Sequence, residues 1–116
     1  TLNPSSAASD VYKRQGVEVI QDESIIIDDA QLQFKNMNKI PTDLLIDRSV
    51  ALGQAEHVDA VVLSCCDMPT LDAIPIIEDA IGKPVTSSTQ ALFWRAIRTA
   101  GILDPIEGMG SLLIRA

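Results

Sequence analysis

Asp59-Ala60-Val61-Val62-Leu63-Ser64-Cys65-Cys66-Asp67-Met68-Pro69-Thr70 is the stretch that decides the fold. A β-branched apolar run of strand length ends in two cysteines and a polar turn, and a helical pattern starts within a few residues. This is how a buried parallel strand delivers a side chain to a crevice. In open α/β sheets, ligands bind beyond the carboxyl ends of the strands, where backbone N–H groups of the following helix point outward. Cys65 stands at that end, in a field that favours thiolate. The competing reading is that Cys65 is a small buried hydrophobe, as most free cysteines are.

Downstream of this stretch, Thr70 and Asp72 both fit as N-caps of a helix over 73–81. Pro75 selects Asp72, because proline costs about 3 kcal/mol in a helix interior and little in the first turn. Gly82 is the expected C-terminal stop. Lys83 to Ser87 reads as a second short buried strand, and Ser88 or Thr89 caps the next helix. Leu92, Phe93, Ala96 and Ile97 form the apolar face of that helix, Trp94, Arg95 and Arg98 flank it, and Gly101 ends it. Phe93 and Trp94 are assigned to the core. Gly108 to Leu113 is a glycine-hinged turn meeting an apolar end.

Upstream, Pro41-Thr42-Asp43 opens a helix running to about Glu56, with Leu44, Leu45, Arg48, Leu52 and Ala55 at helical spacing. His57 falls near its end and reads as a surface residue. Gly16 to Ile20 alternates apolar and polar like a short strand. Gln21 to Ala30, with Ser24-Ile25-Ile26-Ile27, reads as a loop running into a strand or turn, and Gln31 to Lys39 has no clear period. Thr1 to Gln15 is rich in Ser and Ala, closes on a Lys-Arg pair, and is set apart as a disordered or non-native leader. The domain is therefore placed at 16–116. Strands alternating with helices predict an α/β, three-layer architecture with a short parallel sheet and right-handed crossovers. Three strands make an incomplete sheet, so the domain reads as part of a larger α/β protein.

Composition narrows the function. With 116 residues, 47% of them hydrophobic, the chain has enough length for one core. A net charge of −7 without a basic patch argues against nucleic acid. No apolar run reaches the ~20 residues that span a bilayer, and no secretory leader opens the chain, so a cytoplasmic protein is expected. Adjacent cysteines do not build an ordinary disulfide framework, and with a single His57 they do not supply a four-ligand zinc site. Free thiols and no metal are the expectation.

Leu63-Ser64-Cys65, Thr70-Leu71-Asp72-Ala73-Ile74-Pro75, Glu78, Gly82, Pro84-Val85, Ser87-Ser88, Phe93-Trp94 and Ala100-Gly101, in this order, resemble the aspartate/glutamate racemase superfamily. The resemblance is to the branch holding arylmalonate decarboxylase and maleate cis-trans isomerase. It implies a cofactor-independent enzyme made of two pseudo-symmetric α/β halves with a thiol at the cleft between them. The chain resembles the second half. On this reading the first half, its thiol position and carboxylate-holding loop are missing, as is the first strand of the second half.

The resemblance places the family's thiol on Cys65, after Ser64, as the catalytic group. It implies a small dicarboxylic or substituted acid as substrate and proton transfer at the carbon next to a carboxylate. The N–H groups of Cys66 and Asp67 then serve as oxyanion donors. A small residue stands at position 66 in the decarboxylase-like relatives, so the Cys66 side chain is a departure that narrows the pocket. The Asp67 side chain reads as a turn cap. Ser64, Ser87 and Ser88 complete the expected substrate contacts, with N-capping the alternative role for the serines at 87 and 88. Two thiols facing across the cleft imply racemisation or isomerisation, whereas Cys65 alone implies decarboxylation with one-sided protonation. The other class of reading is a non-catalytic carboxylate-binding α/β module, or a chain inactive by itself. Open sheet edges and free thiols point to self-association of the isolated chain.

Overall fold

The computed structural model describes residues 10–23, 40–64 and 68–116. Helix α1 spans Thr42–Gly53, strand β1 Val61–Leu63, helix α2 Ala73–Ile81, strand β2 Val85–Ser87, helix α3 Ser88–Thr99 and helix α4 Leu112–Arg115. Residues 10–14, inside the stretch set apart as a leader, are also helical. The architecture is α/β: β1 and β2 pair in parallel in the register Val61↔Val85, Val62↔Thr86, Leu63↔Ser87, with helices flanking them.

The local reasons follow from the sequence. Pro41 precedes α1 and its carbonyl accepts the Leu45 N–H at 3.1 Å, while Asp43 places negative charge in the first turn, where the helix dipole favours it. At the other end Lys83 Nζ donates to the carbonyls of Gly53 at 2.6 Å and Ala55 at 3.3 Å, putting a cation on the C-terminal carbonyls. In α2, Ala73, Ile74 and Ile77 are buried on one face and Ile81 is partly buried. Gly82 ends it in the left-handed region at φ 68°, its N–H bonded to the Glu78 carbonyl.

The core lies on one face of the sheet. Ile40, Leu45, Val61, Leu63, Ala73, Ile74, Ile77 and Val85 form a continuous buried cluster. Fully burying each large member contributes about 1.5–3 kcal/mol. Helices α1 and α2 meet closely at Gly53, where an added Cβ would lie 2.6 Å from Ile81 Cδ1 and 3.0 Å from Val61 Cγ2. The opposite face of β1 is half exposed at Val62.

Several expectations need correction. Residues 16–20 are not a strand: Val17 and Ile20 are half exposed, the Val17 N–H turns back to the Tyr12 carbonyl at 3.0 Å, and among the described residues no strand pairs with the segment. The proposed element at Ser24–Ile27 lies outside the described residues. Helix α1 ends at Gly53 instead of Glu56, and its buried row is Leu45, Ser49 and Gly53, with Arg48 exposed. Ser49 and Gly53 complete the inward row with Leu45, and as small residues they carry no apolar signal. Asp72 does sit at the N-cap of α2 but makes no side-chain cap bond. The Thr70 carbonyl instead accepts from Ala73 and Ile74 N–H at 3.1 and 3.0 Å. Helix α3 is capped by Ser87, not by Ser88 or Thr89, because β2 runs into α3 without an intervening loop. Leu92, Phe93 and Ala96 are exposed, and Trp94 is half-buried rather than in the core.

Candidate active site

The two strands run in the same direction and end together, with Leu63 beside Ser87. Ser64, exposed, continues from β1, and Cys65, Cys66 and Asp67 follow it outside the described residues. From β2 the chain passes directly into α3, whose N-terminus therefore lies at the same edge. A twelve-residue helix presents roughly half a positive charge there, on N–H groups that lack intrahelical acceptors.

Ser87 is interior, 1% exposed. Its Oγ accepts the Gln90 N–H at 3.1 Å and the Thr70 hydroxyl at 2.9 Å. Thr70 serves the first turn of α2 and Ser87 the first turn of α3, so their hydrogen bond joins the N-termini of two helices. Ser88, half-buried, opens α3. Thr86 Oγ1 donates to Gln90 Oε1 at 3.0 Å, and Gln90 Nε2 donates to the Met109 carbonyl.

The C-terminal loop is drawn onto this frame by a second carboxylate-centred knot. Glu78 Oε1 accepts from Val85 N–H at 2.9 Å and from the Ser111 hydroxyl at 2.8 Å, and Oε2 accepts Ser111 N–H at 2.9 Å. Between these contacts lies Gly110, buried at φ +96°, where a Cβ would meet Ile74 Cγ2 at 2.6 Å. No side chain fits there, and the backbone conformation is one that L-residues avoid.

The structure thus brings Ser64, Ser87 and Ser88 to one sheet edge and gives the Ser87 hydroxyl internal work. Gln90 and the Thr70 hydroxyl were not anticipated as part of the site's frame. Ser87-Ser88-Thr89-Gln90 carries a signal for the first, since Ser followed three residues later by Gln is the capping-box pattern. Nothing local marks the pairing of Glu78 with Ser111. His57 is exposed, its Nε2 3.9 Å from Glu56 Oε1. Among the described residues, no group of three or more His, Cys, Asp or Glu is placed to hold a metal, and no helix is long and apolar enough to cross a membrane.

Chemically, this edge suits an anion: the N-terminus of α3 lies at the end of the parallel pair, where the helix dipole favours negative charge. The family model for arylmalonate decarboxylase matches residues 6–113. The chain is 46% identical over 66 residues to arylmalonate decarboxylase of Bordetella bronchiseptica, covering 56% of this chain and 28% of that one. It is 32% identical over 106 residues to maleate isomerase of Alcaligenes faecalis, covering 90% and 40%. A crystal structure of arylmalonate decarboxylase superposes with a TM-score of 0.80 at 29% identity, over 97% of this chain and 49% of that one. The chain spans less than half the length of each of these relatives.

Proposed function

The chain belongs to the arylmalonate decarboxylase family, and from that membership we propose that it supplies the thiol-bearing half of a cofactor-independent decarboxylase or isomerase of small carboxylic acids. The observation that carries the reading is the register Leu63↔Ser87. In a chain of this family it sets the strand end leading to Cys65 beside the capped N-terminus of α3.

Cys65 is the proton donor. In the decarboxylation form of the reaction, the bond between the α-carbon and one carboxylate breaks and CO₂ leaves. The electron pair stays behind as an enediolate, its charge spread into the remaining carboxylate. The Cys65 S–H then delivers its proton to the α-carbon, becomes thiolate, and is reprotonated from water. The N–H groups of Cys66 and Asp67, with Ser64 and Ser88, hold the carboxylate oxygens where negative charge accumulates. A second thiol from another half would turn the same edge toward isomerisation or racemisation. A complete enzyme adds a partner α/β half that closes the cleft, and the cytoplasm keeps its thiols reduced.

Cys65→Ser in the full-length protein tests this. A serine hydroxyl is a far weaker acid than a thiol, and general acid–base groups contribute about 10²–10⁴-fold, so kcat should fall by about 10⁴. Dicarboxylate binding, held by backbone donors, should persist. Near-normal kcat with an arylmalonate or maleate substrate would sink the mechanism.

A further inference from the structure

Both flanks of the segment that carries Cys65 are fastened to one residue. On the strand side, Leu63 is the register partner of Ser87. On the helix side, Thr70 Oγ1 donates to Ser87 Oγ at 2.9 Å. The same oxygen accepts the Gln90 N–H at 3.1 Å, so Ser87 ends β2, caps α3 and holds Thr70 on the far flank of the segment. Thr70, Ser87 and Gln90 are all buried, which removes water as a substitute partner. Thr70 is tied to α2 as well, because its carbonyl receives the N–H groups of Ala73 and Ile74.

We infer that the Thr70–Ser87 hydroxyl couple positions the segment bearing Cys65, an inference that rests on the role proposed above for that thiol. Neither hydroxyl acts on substrate. The strand fixes where the segment leaves β1 and the couple fixes where it returns at α2, which narrows the placements open to the thiol between them. Proton transfer at carbon is sensitive to such placement, and a displacement of about 1 Å costs about 10²-fold in rate.

Valine is the informative replacement at 70. It keeps the β-branched shape and removes the donor, while Ser87 Oγ remains free to accept from Gln90 and the α3 cap survives. In the full-length protein, Thr70→Val should lower kcat about 10²-fold, with a smaller rise in KM because the N–H groups proposed to hold the carboxylate lie on the same segment as the thiol. It should also shift the pH dependence of Cys65 alkylation by iodoacetamide, followed by mass mapping. Thr70→Ser keeps the hydroxyl and should recover most of kcat. Ser87→Ala removes the same bond, so the double variant should be no worse than the more impaired single one. Unchanged kcat and an unchanged alkylation profile in Thr70→Val, alongside an inactive Cys65→Ser, would overturn the positioning role and leave the thiol assignment standing. An active Cys65→Ser would overturn both. Should Thr70→Val not fold, Thr70→Ser decides: retained kcat supports the couple, and a large loss in a folded protein refutes it.

Discussion

Two halves of the chain are held in different ways. From α1 to β2, apolar side chains do the work: Leu45, Ile74 and Ile77 are wholly buried, and helix faces and strand residues interlock around them. In α3 the inward row is Gln90, Trp94 and Arg98, four residues apart, while Leu92 is 67% exposed. Polar bonds fasten that helix. Besides the cap at Ser87, the Arg98 guanidinium donates to the carbonyls of Ile102, Asp104, Leu113 and Ala116, gathering the C-terminal segment onto α3. The difference teaches that apolar periodicity identifies a helix without identifying which face turns inward. Where directional bonds are plentiful, they set the rotation.

The comparison breaks most visibly at its apolar end. Ile74→Ala in the full-length protein should cost about 2–5 kcal/mol, read as a fall in the urea midpoint at constant m-value, because the surrounding helix and strand residues cannot collapse into the space. Gly110→Ala tests the junction between the halves. The added methyl meets Ile74 in a conformation that L-residues avoid, so a loss of about 1–3 kcal/mol is expected. A wild-type midpoint would mean that the C-terminal loop is not pressed on α2. Leu92→Ser probes the outer face of α3 and should change stability by no more than about 0.5 kcal/mol. In the isolated chain it should reduce concentration-dependent light scattering, since an exposed leucine beside Phe93 promotes association. A drop as large as that for Ile74→Ala would erase the contrast between the two regions.

The central part of the fold was legible because its signals are local. A β-branched run, Pro75 in a first turn and Gly82 after the last apolar residue specify β1, α2 and its end within a few positions each. The strand read at 16–20 failed because alternation describes a surface without supplying a neighbour. The cap of α3 was missed by one residue because Ser87 is both the last strand residue and the first helical partner, a boundary that propensities place too late. Of the candidate site, the strand end and the placement of Ser64, Ser87 and Ser88 beside it could be read in advance, and the family resemblance agreed with the branch that the comparisons identify. The bonds from Glu78 to Ser111 and from Gln90 to Met109 could not be read, since they join segments whose proximity exists only after folding.

The parallel pairing of β1 with β2 also has a kinetic side. Val61 and Val85 become neighbours only when the chain between them has doubled back, and that chain includes all of α2. A parallel pair has no tight hairpin from which to zip, so closing the loop is an entropic barrier met before any strand bond rewards it. Docking of the Ile74–Ile77 face onto Leu45 and Val61 shortens that search, which makes the helix crossover the natural nucleus and the strand edge bearing Ser64 and Ser87 one of its late products.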